Sequence, residues 1–209
     1  MMNYRTFPKA EEKLSILGFG CMRLPLKSES SADIDEKLAK KMIRSAIDRG
    51  VNYIDTAYPY HSGNSEPFTA EALQDGYREK VHLATKLPSW LIESREDMDK
   101  YLNEQLERLQ TDHIDYYLIH GLDKDRWPKL KKLDLFGFMD KAVADGRVRY
   151  IGFSFHDDLD TFKTIIDAYD WNFCQIQYNY LDTHEQAGTE GLEYTYERGI
   201  GLVVMEPLR

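Results

Sequence analysis

The sequence predicts an α/β fold made of repeating strand–helix units around a mostly parallel sheet, of (β/α)₈ TIM-barrel type but incomplete. Three observations predict it. Short apolar runs alternate with amphipathic helical patterns along the whole chain. The runs end near Gly20, Asp55, Lys86, His120, Ser154, Tyr178 and Met205, a repeat of roughly 30 residues, the size of one βα unit. Glycine stands where helical patterns stop, at Gly50, Gly76, Gly146 and Gly199. About seven strands and six intervening helices can be counted, against eight of each and about 250 residues for a closed barrel. An open seven-stranded sheet is therefore the alternative architecture.

Taken in order, Tyr4 to Pro8 and Lys13 to Ile16 flank a polar stretch and predict an N-terminal β-hairpin. Leu17 to Met22 predicts a short glycine-rich strand. From Ile34 to Arg49, apolar residues at Ile34, Leu38, Met42, Ile43, Ala46 and Ile47 follow helical spacing. Val51 to Asp55 is a strand that opens into a loop marked by Pro59 and Gly63. A short helix is expected over 66–74, a strand over 81–86 and a helix over 95–110. A strand over 114–120 ends in a histidine. Residues 127–145 predict one helix with Gly137 as its weak point. Strands over 150–154, 173–178 and 201–205 alternate with helices over 159–169 and 188–198. No low-complexity linker divides residues 1–209, so one domain is expected.

Composition narrows the function. The 209 residues are 42% hydrophobic and 30% charged, ordinary for a globular protein. A net charge of −9 argues against a nucleic-acid or anionic membrane surface, which needs a basic patch. The start lacks an apolar run of signal-peptide type, and no stretch approaches the roughly 18 apolar residues of a membrane span. Cys21 and Cys174 lie in apolar runs without metal-ligand spacing and read as buried thiols. Together these features point to a cytoplasmic protein.

Asp55, Tyr60 just beyond it, Lys86 and His120 end three successive predicted strands. Strand ends of one polarity share a rim in a parallel barrel, so these four side chains are expected to converge. A free phenol titrates near 10, and an adjacent ammonium brings that value down. A carboxylate such as Asp55 would keep the lysine charged, and a histidine can hydrogen-bond a substrate oxygen. The set reads as a tuned proton donor aimed at a carbonyl. His61, Trp90, Trp127, Phe155, His156 and His184 are placed on the same rim as candidate pocket residues. His61 has no second ligand at suitable spacing, so no metal site is expected. Gly18 and Gly20 lack the third glycine and downstream acid of a dinucleotide-binding fingerprint.

Residues 55–60 (DTAYPY), 84–86 (ATK) and 117–120 (YLIH) resemble the Asp, Tyr, Lys and His motifs of the aldo-keto reductases. Residues 17–23, 146–154, 175–179 and 204–209 are similar to that family's first, fifth, sixth and seventh strands, in order. The likeness is nearest to a bacterial branch whose members often carry a C-terminal iron–sulfur segment, which these residues do not contain. The resemblance implies a barrel rather than an open sheet. It implies hydride transfer between NAD(P)H and an aldehyde or ketone, with Tyr60 as general acid and Lys86 lowering its pKa. Asp55 would pair with Lys86, and His120 would orient the carbonyl.

The resemblance further implies that Ser154 and Gln175 hold the nicotinamide carboxamide, with Gly20, Met22 and Asp55 beside the cofactor. Met205 would stack on the ring, and Pro207 and Leu208 would begin a loop over the pyrophosphate. NADP(H) is expected in preference to NAD(H). Each position also has a plain structural role open to it: Gly20 a turn glycine, Ser154 a strand end, Gln175 a core amide, Met205 a core residue. Two features depart from the family pattern. Phe155 follows Ser154 where many relatives have asparagine. The eighth strand, whose following loop and helix bind the adenosine phosphate in that family, lies outside these residues, which implies a C-terminally truncated domain. Loss of that site would also suit a non-catalytic nicotinamide-binding or regulatory subunit, and an open barrel edge would favour self-association.

Overall fold

The computed structural model describes residues 2–208. An antiparallel pair, β1 (Tyr4–Thr6) and β2 (Lys13–Ser15), precedes seven parallel strands. These are β3 (Phe19–Gly20), β4 (Tyr53–Asp55), β5 (His82–Leu87), β6 (Ile114–Leu122), β7 (Val148–Phe155), β8 (Phe173–Gln177) and β9 (Gly201–Met205). They lie side by side in sequence order, each paired to the next. The helices are α1 (Glu36–Asp48), α2 (Ser65–Ala72), α3 (Arg95–Leu109), α4 (Arg126–Lys132), α5 (Leu135–Ala144), α6 (Leu159–Ile166) and α7 (Gly188–Glu197). Among the described residues no helix is long and apolar enough to cross a membrane.

One side-chain contact separates a curled sheet from a flat one. β4 and β8 are four strands apart, roughly 19 Å along a flat sheet. Yet Gln175 Nε2 on β8 lies 3.4 Å from Asp55 Oδ2 on β4. Only a sheet bent toward closure brings those groups together, so the architecture is a curled half-barrel and the open flat sheet is set aside.

Strand side chains alternate between two cores, as the period of two requires. The outer core packs Ile54, Leu83, Tyr117, Ile119, Phe153 and Cys174 against the helices. The inner core is made of Leu14, Tyr53, Ala84, Tyr116, Leu118 and Phe173. The hairpin closes the N-terminal end of this inner core. Phe7, between β1 and β2, sets its ring 6.0 Å from that of Tyr116 and 6.2 Å from that of Phe173. Gly201 leaves room for it, since a Cβ there would run into the Phe7 ring.

Helix starts follow their capping chemistry. Asp35 accepts from Leu38 N–H at 3.0 Å, Ser94 and Asp97 form a capping box, and Asp158 accepts from Thr161 N–H at 2.8 Å. Two elements differ from expectation. Only Phe19 and Gly20 of residues 17–22 join the ladder. The single helix expected over 127–145 is two, which makes seven α-helices rather than six. The break falls at Asp134, whose backbone is left-handed (φ 59°, ψ 48°) and whose carboxylate accepts from Gly137 N–H. Gly137 is thus no weak point. It lies in the first turn of α5, where a side chain would strike the Asp134 carboxylate.

Candidate active site

Asp55, Lys86 and His120 occupy inward-facing positions near the C-terminal ends of β4, β5 and β6, two residues further along at each strand. Lys86 is only 1% exposed. Its ammonium donates to Asp55 Oδ1 at 2.7 Å and to the Thr56 carbonyl at 2.8 Å, and lies 3.3 Å from the Tyr60 hydroxyl. Burial acts to lower the lysine pKa, but the Asp55 charge and Tyr60 outweigh it and the net direction is upward. Lys86 is therefore a fixed buried cation at neutral pH.

The expected drop in the Tyr60 pKa is corrected by its surroundings. Burial pushes the phenol up, Lys86 pulls it down, Asp55 pushes it up again, and the net direction is upward. Lys86 tempers the shift without reversing it, so Tyr60 holds its proton at neutral pH. His120 packs edge-on to Tyr60, with ring centroids 6.1 Å apart, and 5.1 Å from the ring of Trp90. Burial, then the charges of Lys86, His156 and Arg126, keep its pKa well below the ordinary histidine value. It is a neutral imidazole, and its Nδ1 is buried without a hydrogen-bond partner among the described residues.

Ser154 and Gln175 are register partners on β7 and β8, and both are buried. Ser154 Oγ accepts from Gly121 N–H at 2.8 Å, which leaves its own O–H as a donor. Gln175 Oε1 is buried without a partner among the described residues. A donor and an acceptor side by side match the two ends of a carboxamide. The nicotinamide group implied by the sequence therefore fits these two residues. The backbone-satisfied core amide considered for Gln175 does not describe it.

Gly20 lies beside Asp55 in the ladder, its φ is not positive, and a Cβ there would meet nothing within 4 Å. No turn requires the glycine, and the space next to Asp55 is open. Met22 is 54% exposed. Met205 is half-buried at the end of the edge strand β9, and Pro207 and Leu208 beyond it are exposed.

Of the proposed pocket residues, Trp90 stands at the rim by His120, and His156 and His184 are exposed. Two are misplaced by the sequence reading. Trp127 is buried in α4 against Phe136 and Trp171, and Phe155 is fully buried against Phe153 and Phe162 in the helix layer. Both apolar rings follow the outward alternation or the helix face, not the rim. His61 is a buried strut: its Nε2 accepts from Leu24 N–H at 3.2 Å and its Nδ1 lies 2.8 Å from the Ser31 carbonyl.

Three residues that the sequence did not single out surround the tetrad. Glu66, Gln105 and Arg108 join the Tyr60 loop to the backbone of Lys86. Glu66 was hidden because an acidic residue in a helix's first turn already has a reason to be there. A groove of about 890 Å³ lies at the opposite end, lined by Arg78, His82, His113, Asp115 and Arg149. Its charges are paired around Asp115, with Arg78 at 2.8 Å and Arg149 at 3.4 Å. It is remote from the tetrad.

Fold and site together define one class of protein. Residues 16–209 match the model of the aldo/keto reductase family, and the chain belongs to that family. It is 30% identical over 227 residues to the oxidoreductase YrpG of Bacillus subtilis, covering 99% of this chain and 67% of YrpG. It is 34% identical over 141 residues to the aldo-keto reductase YhdN of the same organism, covering 63% of this chain and 41% of YhdN. Among solved structures it is similar to the holo form of the aldo-keto reductase AKR11C1 from Bacillus halodurans. There the TM-score is 0.82 at 28% identity, over 99% of this chain and 66% of that one. The chain thus spans about two thirds or less of the length of these relatives.

Proposed function

We propose that this chain carries the catalytic half of an NAD(P)H-dependent oxidoreductase that reduces an aldehyde or ketone, with Tyr60 as proton donor. The observation that carries the reading is the contact of a protonated phenol with a buried, charged lysine held by Asp55, at 3.3 and 2.7 Å. When bound, the nicotinamide supplies the hydride. Ser154 and Gln175 would hold its carboxamide, and Gly20, Met22, Asp55, Met205, Pro207 and Leu208 would flank it. His120, neutral and with an unpartnered nitrogen, orients the carbonyl oxygen toward Tyr60.

As negative charge develops on that oxygen, Tyr60 gives up its proton. Lys86 stabilises the phenolate left behind, and Asp55 keeps the lysine in place. A purely binding role would give these groups no reason to be so arranged. NADP(H) is favoured over NAD(H) by the family resemblance. The test is oxidation of NADPH, and separately of NADH, in the presence of simple aldehydes and ketones, with binding followed by quenching of the three tryptophans. Carbonyl-dependent consumption of NADPH ahead of NADH is expected. Saturable binding without consumption would favour the binding subunit instead.

A further inference from the structure

Tyr60 sits in a strained loop. The two residues after it, His61 (φ 53°, ψ 45°) and Ser62 (φ 54°, ψ 31°), are both left-handed. Residues other than glycine rarely adopt that conformation because the Cβ crowds the following carbonyl oxygen, so the surroundings must impose it. On one side the buried His61 ring is held by Leu24 and Ser31. On the other, α3 supplies Arg108. Its guanidinium donates to the Gly63 carbonyl, lies 3.4 Å from the Tyr58 carbonyl, and stacks 4.4 Å above the Tyr58 ring. It therefore grips the loop on both sides of Tyr60.

Arg108 is anchored in turn. Its Nε is 3.2 Å from Glu66 Oε2 and its Nη1 is 3.7 Å from Glu104 Oε1. Glu66 is fully buried. Its other oxygen accepts from Thr85 Oγ1 and from Gln105 Nε2, both at 2.6 Å. Gln105 Nε2 also lies 3.0 Å from the carbonyl of Lys86, and Gln105 Oε1 accepts from Tyr117 O–H at 2.8 Å. One carboxylate thus links the backbone of the phenol's loop to that of the lysine's strand. The phenol–ammonium contact it spans is only 3.3 Å, and a further 1 Å would end it as a hydrogen bond.

We propose that Arg108, Glu66 and Gln105 form a positioning unit that fixes the Tyr60 phenol against the Lys86 ammonium. The unit acts through the backbone of the Tyr60 loop and of β5, as a positioning group. It rests on the reading of Tyr60 as proton donor, but its effect on the Tyr60–Lys86 pair can be read without turnover. The groups facing the phenol are Asp55 on β4, Lys86 on β5, Cys21 after β3 and the His120 ring on β6. Lys86 alone among the charged or ionisable groups named there pulls the phenol's pKa down.

The experiment labels tyrosines with ¹³C at Cζ, assigns the Tyr60 signal with Tyr60→Phe, and follows its titration. Lys86→Met is compared in three backgrounds: the natural chain, Arg108→Leu and Arg108→Lys. In the natural chain Lys86→Met should move the Tyr60 titration upward. In both Arg108 backgrounds that displacement should shrink, because the pair is no longer held together. Arg108→Lys keeps a charge near Glu66 but cannot fork onto two carbonyls, and it decides the matter if Arg108→Leu does not fold. In steady state, kcat should fall about 100-fold with cofactor affinity unchanged. A Lys86→Met displacement as large in the folded Arg108→Lys background as in the natural chain would overturn the proposal. A natural chain without turnover would instead overturn the functional reading, and would leave the titration result standing.

Discussion

Lys86 stays charged at 1% exposure because Asp55 is 2.7 Å away and two oxygens besides accept its protons. An unpaired buried ammonium would have neutralised instead. The same burial acts oppositely on its neighbours. It keeps the Tyr60 proton on, keeps His120 neutral, and pushes the Cys21 thiol up to about 12. Cys174 is likewise pushed up to about 12 in the outer core. The thiolate is the reactive form of cysteine, so neither thiol should react with a disulfide reagent at mildly alkaline pH in the native chain. Both should react in denaturant. Rapid labelling of Cys21 without denaturant would show that the space behind the tetrad is open to water.

At the scale of elements, the strands were legible because burial on both faces makes continuous apolar runs. Their polar terminators Asp55, Lys86 and His120 were legible because they interrupt those runs. The break between α4 and α5 was not. It depends on the left-handed backbone of Asp134 and its bond to Gly137, and a single glycine in a helical pattern gives no clue to that geometry. The placement of Trp127 and Phe155 was hidden for a related reason: an apolar ring that begins a helix or ends a strand suits the core as well as a rim, and only the observed helix face and strand alternation decide between them. Gly152 shows how tightly the faces are filled. A Cβ there would lie 2.6 Å from the Phe173 ring and 2.6 Å from its carbonyl oxygen. Gly152→Ala should lose about 1–3 kcal/mol, measured as a lower urea midpoint with the slope unchanged. An unaltered midpoint would mean that β7 and β8 can separate freely.

At the scale of the whole molecule, the proposed chemistry collects at one end of the half-barrel and an ion-pair network around Asp115 at the other. Asp115, near the N-terminal end of β6, accepts from Leu83 N–H at 2.9 Å and from Arg78 at 2.8 Å, and its pKa is lowered to about 2. Burial opposes that shift, but the His82 hydrogen bond, Arg78, the Leu83 amide and His113 overcome it. A depressed carboxylate stabilises the fold above its unfolded pKa, and that contribution is lost as pH falls from about 4 to about 2. It amounts to about 2 kcal/mol. Asp115→Asn should therefore be less stable at neutral pH, and its deficit should narrow as the pH falls through that window. A deficit constant from neutral to acid pH would place the role of Asp115 in packing rather than in charge. The sequence revealed the tetrad but not this network, because Asp115 and Arg78 are brought together by the fold across 37 residues.

The proposed reaction turns on one proton, that of the Tyr60 phenol. Its most direct measurement is carbonyl-dependent turnover of Tyr60→Phe beside the natural chain, with NADPH affinity followed in both by tryptophan quenching. The phenyl ring keeps the packing against His120 and loses only the hydroxyl that meets Lys86. Turnover should fall about 10²- to 10⁴-fold while cofactor affinity is unchanged. Undiminished turnover by Tyr60→Phe would contradict the assignment and require another proton donor on the rim.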